Sequence, residues 1–198
     1  MLSRLIVIFT MLTCLLSGCA GVVAVGGAVS DYVVDNFKGI ENSMPVKIDA
    51  AMSAVQTGLK KTDFTADLIE FVDGGYLVEF RNGQLEGIIH LSSQTKKLTT
   101  LYIKVKSSGG VVREEAIERT VLEVIAKQAK RVSKSARFNF SGYNYIRSKP
   151  TLFGEKLGRY RRGANLELSP SPEKGWLMIK MPSGKQAFLK AKLPGKKS

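Results

Sequence analysis

The chain has 198 residues, of which 44% are hydrophobic and 24% charged, with a formal net charge of +13 at pH 7. It holds only 2 cysteines and 1 histidine, which leaves too few ligands for a four-ligand Cys/His zinc site and no material for a disulfide framework. The length allows one large domain or two small ones.

Arg4 carries the only charge before Cys19, and residues 5–16 (LIVIFTMLTCLL) form an apolar run. That run is too short to span a bilayer comfortably, since a spanning helix needs roughly 20 apolar residues. A basic start, a short apolar core and small residues before a cut site read as an export signal over residues 1–18. Its ending, Leu16-Ser17-Gly18-Cys19, resembles the bacterial lipobox. The resemblance implies diacylation of the Cys19 sulfur by palmitate-type chains, cleavage after Gly18 and acylation of the new amine. More than one acyl chain gives stable membrane anchoring. On this reading Cys14 leaves with the signal and Cys19 is capped, so the mature chain has no free thiol. Ala20 follows the cysteine. In Gram-negative lipoproteins the absence of Asp there implies delivery to the outer membrane, facing the periplasm.

Residues 19–31 read as a Gly-rich apolar tether, and residues 32–42 as extended chain. Ser43 and Pro45 suit a helix start. Ile48, Met52, Val55 and Leu59 then recur at helical spacing, with Lys60 and Lys61 favourably placed at the C-terminal end. The turn signals Asp73-Gly74-Gly75 and Arg81-Asn82-Gly83 divide a run of strands at Phe64–Val72, Tyr76–Phe80, Leu85–Leu91 and Leu98–Val105. His90 falls on the polar phase of its strand and reads as an exposed strand histidine. A second helix is expected from Arg113 to Val132, with Glu114, Glu115 and Glu118 at its start and basic residues at its end. The expected fold class is therefore α+β, a two-layer β-α-β(4)-α sandwich over residues 32–132. The lipobox, tether, helices and hairpins of residues 1–130 resemble a family of small bacterial lipoproteins that carries a domain of unknown function. That resemblance implies a fold and a location, and no activity.

Positive charge is concentrated in the last third: residues 130–198 carry 17 Lys+Arg against 3 Asp+Glu, whereas residues 19–129 carry 12 against 14. The shift supports a boundary, and residues 133–142 (SKSARFNFSG) read as a linker in which Phe138 and Phe140 dock. Beyond it lie Tyr145-Ile146-Arg147-Ser148-Lys149-Pro150, Gly158-Arg159-Tyr160-Arg161-Arg162-Gly163, Gly175-Trp176-Leu177-Met178-Ile179 and Ser183-Gly184-Lys185. Short strands at this spacing predict a small all-β barrel over residues 143–198. These motifs resemble the bacterial SH3-like domain. Lys149 stands where that family usually has Gly, and Ala187-Phe188-Leu189 where it usually has Gly-Trp-Val.

The SH3-like resemblance implies a shallow aromatic groove that binds cell-wall peptide or another polypeptide. Tyr145, Tyr160, Trp176 and Phe188 are its candidate aromatics, and Arg147, Arg161 and Arg162 its candidate carboxylate contacts. Trp176 has two readings, as a ligand contact or as a packing residue. The expected function is a membrane-anchored, non-catalytic binding module for peptidoglycan or an envelope polypeptide, with anionic lipid a further candidate partner. The alternative is an accessory or structural subunit of a multi-protein secretion or transport assembly. Nucleic acid is not expected as a partner of an exported protein, and no cofactor is expected. Carboxylate pairs such as Glu70 with Glu79 or Asp67 are the only sequence hint of wall-hydrolase chemistry, and acids on a strand surface are common.

Overall fold

A computed structural model describes residues 39–191 of the chain. The expected signal, Cys19, the tether and most of the first extended segment lie outside the described residues. The remaining elements follow the periodicity of the sequence. β1 (Ile40–Met44) leads into helix α1 (Ile48–Lys61), whose Met52, Val55 and Leu59 are buried. The meander β2 (Thr65–Val72), β3 (Gly75–Arg81), β4 (Leu85–Thr95) and β5 (Leu98–Ser107) comes next. Helix α2 is Glu115–Ala129, shorter at both ends than the sequence predicts. Five short strands complete the described residues: β6 (Tyr143–Arg147), β7 (Lys156–Arg161), β8 (Leu168–Pro170), β9 (Trp176–Lys180) and β10 (Gln186–Lys190).

The expected two-layer sandwich followed by a separate barrel is not what these elements build. All ten strands join one antiparallel sheet in the order β1-β5-β4-β3-β2-β7-β6-β10-β9-β8. The join is β2 with β7, through Leu68↔Tyr160, Ile69↔Arg159 and Glu70↔Gly158. The physical reason is the edge of β2. In the meander alone it would present a row of unpaired N–H and C=O groups, which is costly when the strand is otherwise buried. β7 covers it, and Gly158 permits the approach, because a Cβ there would lie 2.2 Å from the Ile69 carbonyl oxygen.

Two hydrophobic cores lie on opposite faces of this sheet. The first packs α1 and α2 against Ile69, Val78, Phe80, Ile89, Leu91, Leu101, Ile103 and Val105. The second gathers Leu68, Ile146, Leu177, Ile179, Met181, Ala187 and Leu189. β2 serves both, with Ile69 facing the first and Leu68 the second. Residues 133–142 are docked: Phe138 is buried in the first core, Phe140 and Tyr143 pack against it, and the Tyr143 hydroxyl donates to the Ala66 carbonyl at 2.7 Å. Gln56 and the Asn139 backbone exchange hydrogen bonds of 3.0 and 2.8 Å.

His90 is also a correction. It is only 7% exposed, paired with Leu77 and Tyr102 on the neighbouring strands and stacked on the Tyr102 ring at 5.9 Å. Burial pushes its pKa down.

The two helices touch closely at Gly58. A Cβ at that position would lie 2.5 Å from Ile125 Cγ1 and 3.1 Å from Ile125 Cα. Alanine improves helix propensity by about 1 kcal/mol, but overpacking against backbone costs roughly 1–3 kcal/mol. Gly58→Ala is therefore expected to lower the unfolding free energy by about 1 kcal/mol in urea titration. A gain in stability would show that α2 yields freely.

Candidate functional site

Alternation along the last strands sorts their side chains onto two faces. Ile146, Leu177, Ile179, Ala187 and Leu189 point into the second core. The intervening residues form the other face, and register aligns them. Tyr145 lies opposite Arg159, Arg147 opposite Phe188, and Phe188 opposite Met178. Trp176, two residues before Met178, shares that face and is half-buried.

The centre of this face is a stack of cations on aromatic rings. The Arg159 guanidinium carbon lies 4.1 Å from the Tyr145 ring centroid and 4.3 Å from that of Phe140. Lys156 Nζ sits 4.4 Å from the Tyr145 centroid, and the Arg147 guanidinium carbon 5.9 Å from it. Each such contact is worth about 0.5–1 kcal/mol when exposed and more when desolvated. Arg159 also donates to the Tyr145 hydroxyl, while its buried Nε has no hydrogen-bond acceptor among the described residues. Arg147 Nη1 donates to the Gly154 carbonyl at 2.8 Å and so fixes the β6–β7 loop. Among the described residues, none of Arg147, Lys156 and Arg159 pairs with a carboxylate. Three positive charges around one ring repel one another, and an incoming carboxylate or phosphate relieves that repulsion. A surface cleft of about 410 Å³ adjoins Arg159, walled by Phe71, Tyr76 and Phe140.

The seven residues expected to form a groove do not all meet. Tyr145, Arg147, Phe188 and Trp176 share the face just described. Tyr160 turns away, packs against the second core and accepts a 3.3 Å hydrogen bond from Asn144. Arg161 is committed to Asp67, with Nε and Nη2 at 2.9 and 2.8 Å from Oδ1. Arg162 is exposed beyond the end of β7. Sequence reasoning passed over Arg159, Lys156 and Phe140. Arg159 alternates with Gly158 and Tyr160, which marks it as facing away from Tyr160. Its meeting with Tyr145 depends on the pairing of β6 with β7.

The carboxylates considered as a catalytic pair have structural partners instead. Asp67 is 1% exposed and sits between Arg161 and Arg81, the latter at 2.9 Å. Glu70 accepts from the Ser183 N–H at 2.9 Å and from its hydroxyl, which ties the β9–β10 turn to β2. Among the described residues, no group of three or more His, Cys, Asp or Glu is placed to hold a metal ion. Comparison of the chain with family models, with curated proteins and with solved structures finds no match.

Glu79 lies on β3, within electrostatic reach of these acids. Burial, opposed by Arg81 and reinforced by Glu86, Glu70 and Asp67, pushes its carboxyl from 4.5 up to about 7. The folded chain therefore holds a proton that the unfolded chain releases between those two values. The stability from this group is fully present below pH 4.5 and falls as pH rises to about 7. At roughly 1.4 kcal/mol per pH unit the loss is about 3 kcal/mol at most. Glu79→Gln is expected to remove about 2 kcal/mol of the stability difference between mildly acidic and mildly alkaline buffer, read by urea unfolding in each. An unchanged pH profile in the variant would assign the slope elsewhere.

Proposed function

We propose that this chain is a lipid-anchored lipoprotein of the bacterial outer membrane, facing the periplasm and acting as a non-catalytic binding module. Its basic C-terminal strands bind peptidoglycan or an envelope polypeptide. The observation that supports this reading is the face of Tyr145, Phe188 and Trp176 interleaved with Arg147, Lys156 and Arg159, whose cations pair with no carboxylate among the described residues. Peptidoglycan stem peptides bring free carboxylates, and their sugars bring flat C–H faces that stack on aromatic rings. Arginine meets a carboxylate through two parallel N–H bonds, and rigid aromatics give contact area at low entropic cost. The lipid anchor rests on the Leu16-Ser17-Gly18-Cys19 string.

A second reading, an accessory subunit of a secretion or transport assembly, has its own support. Phe153 and Leu152, at the tip of the β6–β7 loop, are 96% and 57% exposed. A fixed loop with an apolar tip suits insertion into a partner protein.

The test uses the full mature chain with Cys19→Ser, sedimented with purified sacculi at physiological salt. Tyr145→Ala combined with Phe188→Ala is expected to weaken retention about tenfold, a loss of about 1.4 kcal/mol. Retention that ignores these aromatics and disappears with a modest rise in salt would indicate charge alone. In cells, Cys19→Ser is expected to abolish incorporation of labelled palmitate into the protein. Label that persists in the variant places the acyl chain elsewhere and overturns the anchor.

A further inference from the structure

At the β1 edge, the opposite end of the sheet from β8, lies a pocket of about 730 Å³. Its floor is apolar: Met44, Ala50 and Ala129 are almost fully buried, and Val46 and Val132 are half-buried beside them. Its rim carries Lys47, Lys97, Lys130 and Lys134, and among the described residues no Asp or Glu lines it. All four lysines are exposed, and among the described residues none pairs with a carboxylate.

These lysines come from separate places in the chain, so they are not the polar stripe of a single helix. Lys47 is the N-cap of α1, Lys97 lies in the β4–β5 turn, Lys130 caps α2 and Lys134 follows it. Lys130 serves α2, since a cation is favourable at a helix C-terminus. Lys47 does the reverse. It places a cation where the α1 dipole is positive, at a position that Ser, Thr, Asp or Asn prefer, and it makes no side-chain cap bond. Local helix energetics therefore do not account for it, whereas an anion held in the pocket does.

The walls are also pre-formed. Thr99 Oγ1 donates to the Val46 carbonyl at 2.9 Å, and the Val46 N–H donates to the Met44 carbonyl at 2.8 Å. Ligand pockets usually measure about 300–1,000 Å³, with apolar walls and a few convergent polar groups. A bare anion has no use for the apolar floor, and a neutral lipid has no use for four lysines. We infer that this pocket binds a single-chain amphiphile, its acyl tail along Met44, Ala50 and Ala129 and its carboxylate or phosphate head among Lys47, Lys97, Lys130 and Lys134. This site is separate from the Tyr145 face and stands without the proposed function.

The experiment titrates the full mature chain with Cys19→Ser against four probes by calorimetry: dodecanoate, dodecyl phosphate, dodecyl maltoside and inorganic phosphate. Expected is saturable one-site binding of the two acidic amphiphiles, and weak or no binding of the other two. Lys47→Glu with Lys97→Glu is expected to weaken dodecanoate about tenfold or more. Unfolding does not mimic that loss, because a carboxylate at the α1 N-terminus favours the helix. Circular dichroism of the variant checks the point. Inorganic phosphate competing as well as dodecyl phosphate overturns the assignment in favour of a simple basic patch. Dodecyl maltoside binding equally, with no effect of the lysine changes, overturns the acidic head. Dodecanoate binding that appears only after residues 20–31 are deleted overturns a free ligand in favour of the chain's own apolar segment.

Discussion

The pairing of β2 with β7 is the contact on which the rest of the molecule depends. It is short, with three partnered positions, but it converts two strand groups into one sheet. Because antiparallel partners share a face, it also fixes which residues of the C-terminal half look towards the helices. Ile69 carries Arg159 to the side of the first core, and Leu68 carries Tyr160 to the side of the second. Arg159 reaches Phe140 and Tyr145 for that reason. A shift of one residue would exchange the two sets and bury the guanidinium in an apolar core.

Charge reinforces the same junction and explains the uneven surface. The acids of β2 and the groups of the C-terminal half meet across it, with Asp67 holding Arg161 and Glu70 holding the Ser183 turn. Residues 130–198 bring 17 basic and only 3 acidic residues, so few carboxylates are left to balance their outer face. Arg147, Lys156 and Arg159 are settled by aromatic faces instead. That arrangement keeps the cations ordered without neutralising them, which leaves a positive field over the face. A carboxylate ligand finds guanidinium groups already oriented, and less side-chain entropy is lost when it binds.

The elements of the first half were legible because period and punctuation agreed. Ile48, Met52, Val55 and Leu59 lie at helical spacing, and the hairpins turn at Gly74 and Asn82 as their residue types demand. The single sheet was not legible. Strand pairing runs through backbone groups, and a change in charge near residue 130 looks like a boundary even where the strands continue. Tyr145 and Tyr160 are alike as sequence, and only the register with β7 and β2 separates the ring on the cation face from the ring on the second core. His90 falls on the polar phase of β4, yet Leu77 and Tyr102 flank it on that face and it is buried. Alternation assigns a side chain to a face of the sheet. It does not say whether anything covers that face.

A shallow face of cations and rings gives modest affinity when it meets its ligand in free solution. The fit between the proposed anchor and this face lies in effective concentration. A chain held to a membrane by acyl groups meets an adjacent wall polymer as a tethered partner, so weak contacts suffice for occupancy, and the reach of the tether sets how often they form. The continuous sheet adds the complementary property. With β6–β10 paired to the meander rather than strung on a free linker, flexibility is removed from this half. A ligand of the proposed kind would meet a geometry already set.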